Sequence, residues 1–265
     1  MRSFIAVLLL CLASSPLTAQ DSPIAAEIRI GDSLETALHP EAALVRFRAA
    51  LALDPADYEA LWKASRALVN VAKQIDSDDD ALKKQRDSMY VEARTLAEAA
   101  VSANPKGAQG HSMVAQALGR LSRTRGGKER VRFAKTIYDE AMAATEIDST
   151  NDPAYHVLGA WNAEIKRLSG LQRFFAKTLF GASFMDKANW GDAQRYLTRA
   201  GALNPPNIYH RLELAQVYVD LKRYDKAREL LTSIHDLPIA DVLDHKYKKD
   251  AEALLAEIRD KKEYR

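Results

Sequence analysis

Prolines and small residues recur at fixed steps along this 265-residue chain, and no other feature constrains its fold as tightly. Pro55, Pro105 and Pro205 each follow a helix-like stretch, as LALDP, VSANP and GALNP. Ten residues after each proline stands a small residue, Ser65, Ala115 or Ala215, and the same step of ten runs from Ser149 to Gly159. Twelve residues separate Gly31 from Ala43, and twelve separate Ala215 from Ala227. Proline cannot continue a helix, because it lacks the N–H and clashes with the preceding turn. A Gly, Ala or Ser on a helix face lets a second backbone come close. The combination predicts antiparallel helix pairs that repeat along the chain.

This is the tetratricopeptide spacing. It predicts an all-α fold, a tetratricopeptide-repeat α-solenoid of about five helix pairs at 24–57, 58–107, 108–151, 152–207 and 208–240, within an array spanning 20–240. LAQVYVDLKRYDKARELL, residues 214–231, carries the pattern most fully. The expected repeat-packing positions are Gly31, Ala43, Pro55, Gly159, Ala193, Pro205, Ala215 and Ala227. Phe47, Trp62, Leu158 and Tyr218 are expected to fill the gaps between neighbours. No repeat can bury its apolar face alone, so the units must stack. Residues 241–265 form a capping helix and tail, with apolar positions at Tyr247, Ala251, Leu254, Leu255 and Ile258 and a polar outer face of the kind a solenoid end needs.

The three middle repeats are too long. Ser65 to Ala93 spans 28 residues, Ala115 to Ile137 spans 22 and Gly159 to Ala193 spans 34, where the outer repeats use twelve. Each therefore carries extra residues between its two helices. Insertions at an equivalent point of a solenoid lie on one side of it, often the binding side. The insertion of repeat four contains RLSGLQRFFAKTLFGASF, residues 167–184. Leu168, Leu171, Phe174, Phe175 and Leu179 fall on one face of a helix ended by Gly181, with Arg173 and Lys177 opposite. The first expectation is that this face packs on the solenoid, with Phe175 at its centre. The next is a groove for a peptide or acyl chain, with Phe174 and Phe184 as contacts, and the last is docking on a membrane surface.

Two charged stretches raise further candidates. GRLSRTRGGKERVR, residues 119–132, holds six basic residues and one acidic. It lacks the spacing of a phosphate-binding loop. It reads as a solvated connection, or else as a patch for an acidic partner or anionic lipid, through Arg123, Arg125 and Lys128. DSDDD, residues 76–80, briefly imitates a calcium loop, but Ala81 stands where the glycine is required, and helix N-capping is the better reading.

Arg2, the apolar run Phe4–Ala13 and Ala19 have the three-part form of a secretory signal peptide, residues 1–19, which predicts a secreted or periplasmic protein. The single cysteine, Cys11, leaves with that segment, so packing alone holds the mature chain. A net charge of +2 gives no overall field for nucleic acid. No HExxH, GxSxG or CxxC is present, and His156, beside Tyr155 and near Trp161, reads as a packing histidine. No catalytic residue, metal or cofactor is expected.

WKASRALV from Trp62, YHVLGAW from Tyr155 and LFGASFMDKANWGDAQRYLTRAGALNP from Leu179 resemble the regulator of microtubule dynamics family of tetratricopeptide proteins. The resemblance covers most of the chain after residue 19. It implies a protein-binding scaffold, and for the eukaryotic members a link to microtubules. The apparent export signal is a departure. In a bacterial source the family would transmit fold and mode of interaction, not partner. The expected function is an exported, non-enzymatic scaffold that holds a protein or peptide on its concave face. The alternative is a carrier of a lipid or other apolar molecule that uses the insertion at 168–185. A pocket closed by Phe174, Phe175 and Phe184 would favour the carrier, and an open groove lined by Asn, Lys and Tyr the scaffold.

Overall fold

The computed structural model describes residues 22–263. The proposed signal segment lies outside the described residues. Twelve α-helices follow one another there: α1 (Pro23–Thr36), α2 (Pro40–Leu53), α3 (Tyr58–Ala72), α4 (Asp80–Ala103), α5 (Ala108–Ser122), α6 (Gly127–Ile147), α7 (Asp152–Arg167), α8 (Gly170–Phe180), α9 (Trp190–Leu203), α10 (Ile208–Asp220), α11 (Tyr224–Ile234) and α12 (Asp244–Ile258). A short 3-10 turn, Ser183–Lys187, joins α8 to α9. The helices pair as α1/α2, α3/α4, α5/α6, α7/α9 and α10/α11, and each pair packs on the next. This is the predicted α-solenoid.

Local sequence sets the helix starts. The side chains of Ser22, Asp57, Asp79, Asn151, Asn189 and Asn207 each accept a hydrogen bond from a first-turn N–H, which satisfies a donor the helix itself leaves open. Asp79 of the DSDDD stretch is one of them, at 2.9 Å from Leu82 N. Among the described residues, no group of His, Cys, Asp and Glu side chains could hold a metal ion.

The small residues lie where paired helices meet. Ala43, Ala193, Ala215 and Ala227 are fully buried. A Cβ on Gly31 would stand 2.4 Å from the Phe47 ring, and one on Gly159 would stand 2.5 Å from Leu197 Cγ and 3.1 Å from the Ala193 carbonyl. Ser65 donates to the Ala93 carbonyl at 2.7 Å, which ties α3 to α4 in the expected register. Pro55 and Pro205 are exposed and follow the caps Asp54 and Asn204. Repeat three needs a correction: Ala115 packs with Ala141 and Leu158, one helical turn beyond Ile137. Ile137 faces a different cluster, beside Val131 and Phe133. Both positions offer an apolar residue at helical spacing, so periodicity alone did not separate them. Gly159→Val tests the α7/α9 contact. Leu197 is fully buried, and the Ala193 carbonyl stands against the same site, so the variant is expected to lose about 1–3 kcal/mol in urea unfolding.

The extra residues of the middle repeats lengthen α4 and α6 at their N-termini and supply α8. One cluster joins the α6 extension to the repeat-four insertion through Val131, Phe133, Trp161, Ala176, Ala182 and Met185. The expected burial of the α8 apolar face does not hold. Leu168 ends α7 rather than lying on α8, and Phe175 is 47% exposed. Leu171, Phe174, Leu179 and Phe180 are also exposed, and the only α8 side chain that is buried is Ala176. The helix rests on its small residue and turns its large ones outward. Ser169 and Gln172 form a capping box at its start, and Gly181, at φ 66°, closes it in the left-handed conformation.

The C-terminal segment does more than cap. Tyr247, Ala251 and Ile258 of α12 are buried against α10 and α11. The preceding loop crosses back to repeat two. Asp241 accepts from Lys73 at 2.5 Å, and Lys246 at the start of α12 reaches Asp76 at 3.2 Å.

Candidate functional site

The inner helices α3, α5, α7 and α10 line a groove, which α6 and α8 wall on one side and α12 on another. Its volume is about 590 Å³. Val131 and Ala134 of α6, Trp161 and Ile165 of α7, and Phe175 and Phe180 of α8 make an apolar wall. Asn70, Lys73, Gln116, Tyr209 and Tyr247 give the opposite side polar groups.

The cations of this groove fall into two sets. Arg66 is paired with Glu35, and Lys73 with Asp241. Among the described residues, no carboxylate lies within ion-pair distance of Arg120, Arg123 or Arg130. Arg120 hydrogen-bonds to Tyr247 and lies 5.6 Å from the centre of the Tyr209 ring. A guanidinium only donates, so the Tyr247 oxygen is the acceptor. Burial pushes the Tyr247 phenol upward from its ordinary 10, further from neutrality. Tyr209 and Tyr247 stack at 4.6 Å with an interplanar angle of 9°. Arg120 thus leaves the repeat core through an aromatic slot and presents positive charge to the groove.

Beside this slot runs a chain of polar contacts. Asp152 Oδ2 accepts from His210 Nε2 at 2.8 Å and from Asn204 Nδ2 at 3.2 Å. His210 Nδ1 lies 2.9 Å from His156 Nδ1. With its proton on Nε2, a neutral His210 accepts at Nδ1, so His156 donates there and its own Nε2 is unprotonated. Burial, the His210 ring and the two arginines Arg120 and Arg123 hold the His156 imidazole well below the ordinary 6.5. The unfolded chain therefore binds a proton that the folded chain refuses once pH falls below about 6.5. Stability rises with pH in that window. Melting temperature is expected to drop between pH 7.5 and 5.5, and His156→Gln should flatten the slope. An unchanged slope in that variant would count against the assignment.

The sequence candidates separate here. Arg123 lines the groove. Arg125 does not: it pairs with Asp87 at 3.2 Å and Glu129 at 3.9 Å. Lys128 is exposed and outside the groove. Phe174 points to solvent outside the groove, whereas Phe175 and Phe180 line it. Phe184 is not a groove residue either. It packs on the core with its ring 6.4 Å from that of Trp161. Sequence reasoning missed Lys73, Arg120 and the stacked tyrosines. Arg120 sat within a basic run whose other members drew the eye, and Tyr247 read only as a capping position. Lys73 and Asp241 are 168 residues apart, beyond any local signal.

The family model described as Regulator of microtubule dynamics protein 1-3 matches residues 28–259. Regulator of microtubule dynamics protein 1 of Bos taurus is 26% identical over 207 residues, which is 77% of this chain and 63% of that protein. Regulator of microtubule dynamics protein 3 of Rattus norvegicus is 24% identical over 195 residues, covering 73% of this chain and 40% of that protein. The chain thus spans less than two thirds of the length of these curated relatives. A thermophilic TPR protein of Thermus thermophilus has a similar crystal structure, with TM-score 0.59 at 19% identity over 87% of this chain and 99% of that one. That likeness is one of fold.

Proposed function

The chain belongs to the regulator of microtubule dynamics family, and from that premise we propose that it is a non-enzymatic scaffold whose concave groove holds an acidic, partly apolar segment of a protein partner. The observation that carries this reading is the set of three groove arginines, Arg120, Arg123 and Arg130, that no carboxylate of the described chain neutralises. A partner's carboxylates would complete them, and its apolar side chains would rest on Phe175 and Phe180. Asn70 offers its side-chain amide to an extended backbone. The relatives are named for regulating microtubule dynamics, and an export route would direct this chain to a different partner. We propose that route from residues 1–19, and N-terminal sequencing from the native host tests it.

A second reading, a carrier of an anionic amphiphile, draws on the apolar wall of α6 and α8. The polar side at Asn70, Lys73 and the tyrosines favours the scaffold. The test is retention of proteins and lipids from the host's own envelope fraction by the parent chain and by Arg123→Glu/Arg130→Glu. Both arginines are exposed, so folding should survive. A retained protein lost in the variant supports the scaffold. A lipid lost in its place supports the carrier, and equal retention by both chains rejects the groove.

A further inference from the structure

We propose that α8, with the N-terminal turns of α6 beside it, docks this protein on the surface of an anionic lipid bilayer. The surface is separate from the groove contact of the proposed function, since Leu171, Phe174 and Leu179 do not line the groove. Three observations converge on it. First, α8 is only 11 residues long and leaves five large apolar side chains exposed, three of them outside the groove, with Leu171 and Leu179 66% exposed and Phe174 58%. Among the described residues, no other helix exposes so many. A ridge of this kind needs a cover.

Second, charge is concentrated around the ridge. Residues 119–132 carry six basic side chains and one acidic, and residues 166–187 carry five and one. Together that is a net +9 within a chain of +2, which leaves −7 on everything else. The two segments are neighbours in space, with a Cβ on Gly127 standing 3.4 Å from the Phe180 ring. Not all of the charge is free, and Arg120, Arg123 and Arg130 face the groove rather than the ridge. Arg167 pairs with Glu213 and Asp220, Lys177 with Asp186, and Arg125 with Asp87. Lys128 and Arg132 remain exposed at the start of α6, Arg132 only 3.7 Å from Glu129. Third, at 11 residues α8 is too short to cross a bilayer, so contact through it is contact in the interface plane.

Phenylalanine and leucine on one side and lysine and arginine around them are the composition of an interfacial helix, whose apolar face enters the headgroup boundary while the cations meet anionic lipid. The same field argues against a second copy of this chain as the cover, because two such patches would repel across a symmetric contact.

The test is sedimentation of the purified chain with phosphatidylcholine vesicles, with and without phosphatidylglycerol. Binding is expected with the anionic vesicles and to weaken as salt rises. Leu171→Ser/Leu179→Ser is expected to lower partitioning by about tenfold or more, and Lys128→Glu/Arg132→Glu to remove the preference for anionic vesicles. Unchanged helical circular dichroism and melting verify that the variants fold. Equal binding by parent and both variants overturns the proposal. So does an absence of vesicle binding together with a concentration-dependent dimer that the leucine variant dissolves. Retention of a groove partner by the leucine variant keeps the two proposals distinguishable.

Discussion

Phe47→Ala is expected to lose about 3–5 kcal/mol of stability, the range for a fully buried phenylalanine. The ring is completely buried and fills the space over Gly31. Glycine has no side chain with which to close the void, so relaxation recovers little of the loss. The loss also has a place. In a stack of repeats, stability is close to a sum of units and nearest-neighbour contacts, and Phe47 belongs to the first pair. The first helix pair should therefore separate before the rest, and urea unfolding of the variant should split into two steps. A midpoint close to that of the parent would mean that the α1/α2 contact does not depend on this ring. Gly31→Ala approaches the same contact from the other side. It should cost about 1–3 kcal/mol alone, and less than that when combined with Phe47→Leu, because the shorter side chain gives way to the added methyl.

The repeat architecture was legible because it is written in local spacing. The steps from Gly31 to Ala43 and from Ala215 to Ala227 encode a contact between consecutive helices, and that contact lies within a few turns of chain. The middle repeats could be recognised as too long for the same reason. The groove was less legible. Arg123 was identified from a basic run, but its neighbours Arg125 and Lys128 belong to the same run, and only the position of Asp87 on α4 decides which cation is consumed. The α8 face was misjudged on a sound general rule. An apolar helical stripe is usually core, yet packing also needs a partner surface within reach, and only Ala176 reaches the cluster of Trp161 and Met185 while Phe175 and Phe180 face the open groove. The tyrosine slot around Arg120 joins α5, α10 and α12, three elements whose meeting depends on the curvature of the whole solenoid. No periodicity in one segment reports that.

Asp241→Ala is expected to cost about 2–3 kcal/mol, although the aspartate lies in a loop. The reason is what it leaves behind. Lys73 emerges from α3 with only 7% of its side chain exposed, and Asp241 is its ion-pair partner at 2.5 Å. Burial already pushes the Lys73 ammonium down from 10.5, with Asp241 chief among the charges that hold it up. Removing the carboxylate strands a buried cation, which costs about 3–5 kcal/mol in a fully buried pair. Asp241 itself keeps 36% exposure, and water there reduces the figure. Lys73→Met should behave differently. It removes the buried charge and the need for a partner together, and Asp241 is then solvated in its loop, so the change should stay within about 1 kcal/mol. The asymmetry between the two variants is the signature of the clasp that ties the C-terminal segment to repeat two. Hydrogen exchange should place the effect, with Asp241→Ala loosening the 238–247 segment and exposing the Tyr247–Arg120 contact at the groove. Equal and small losses in both variants would mean that α12 is held by its own contacts with α10 and α11, and that the groove stays closed on that side without the ion pair.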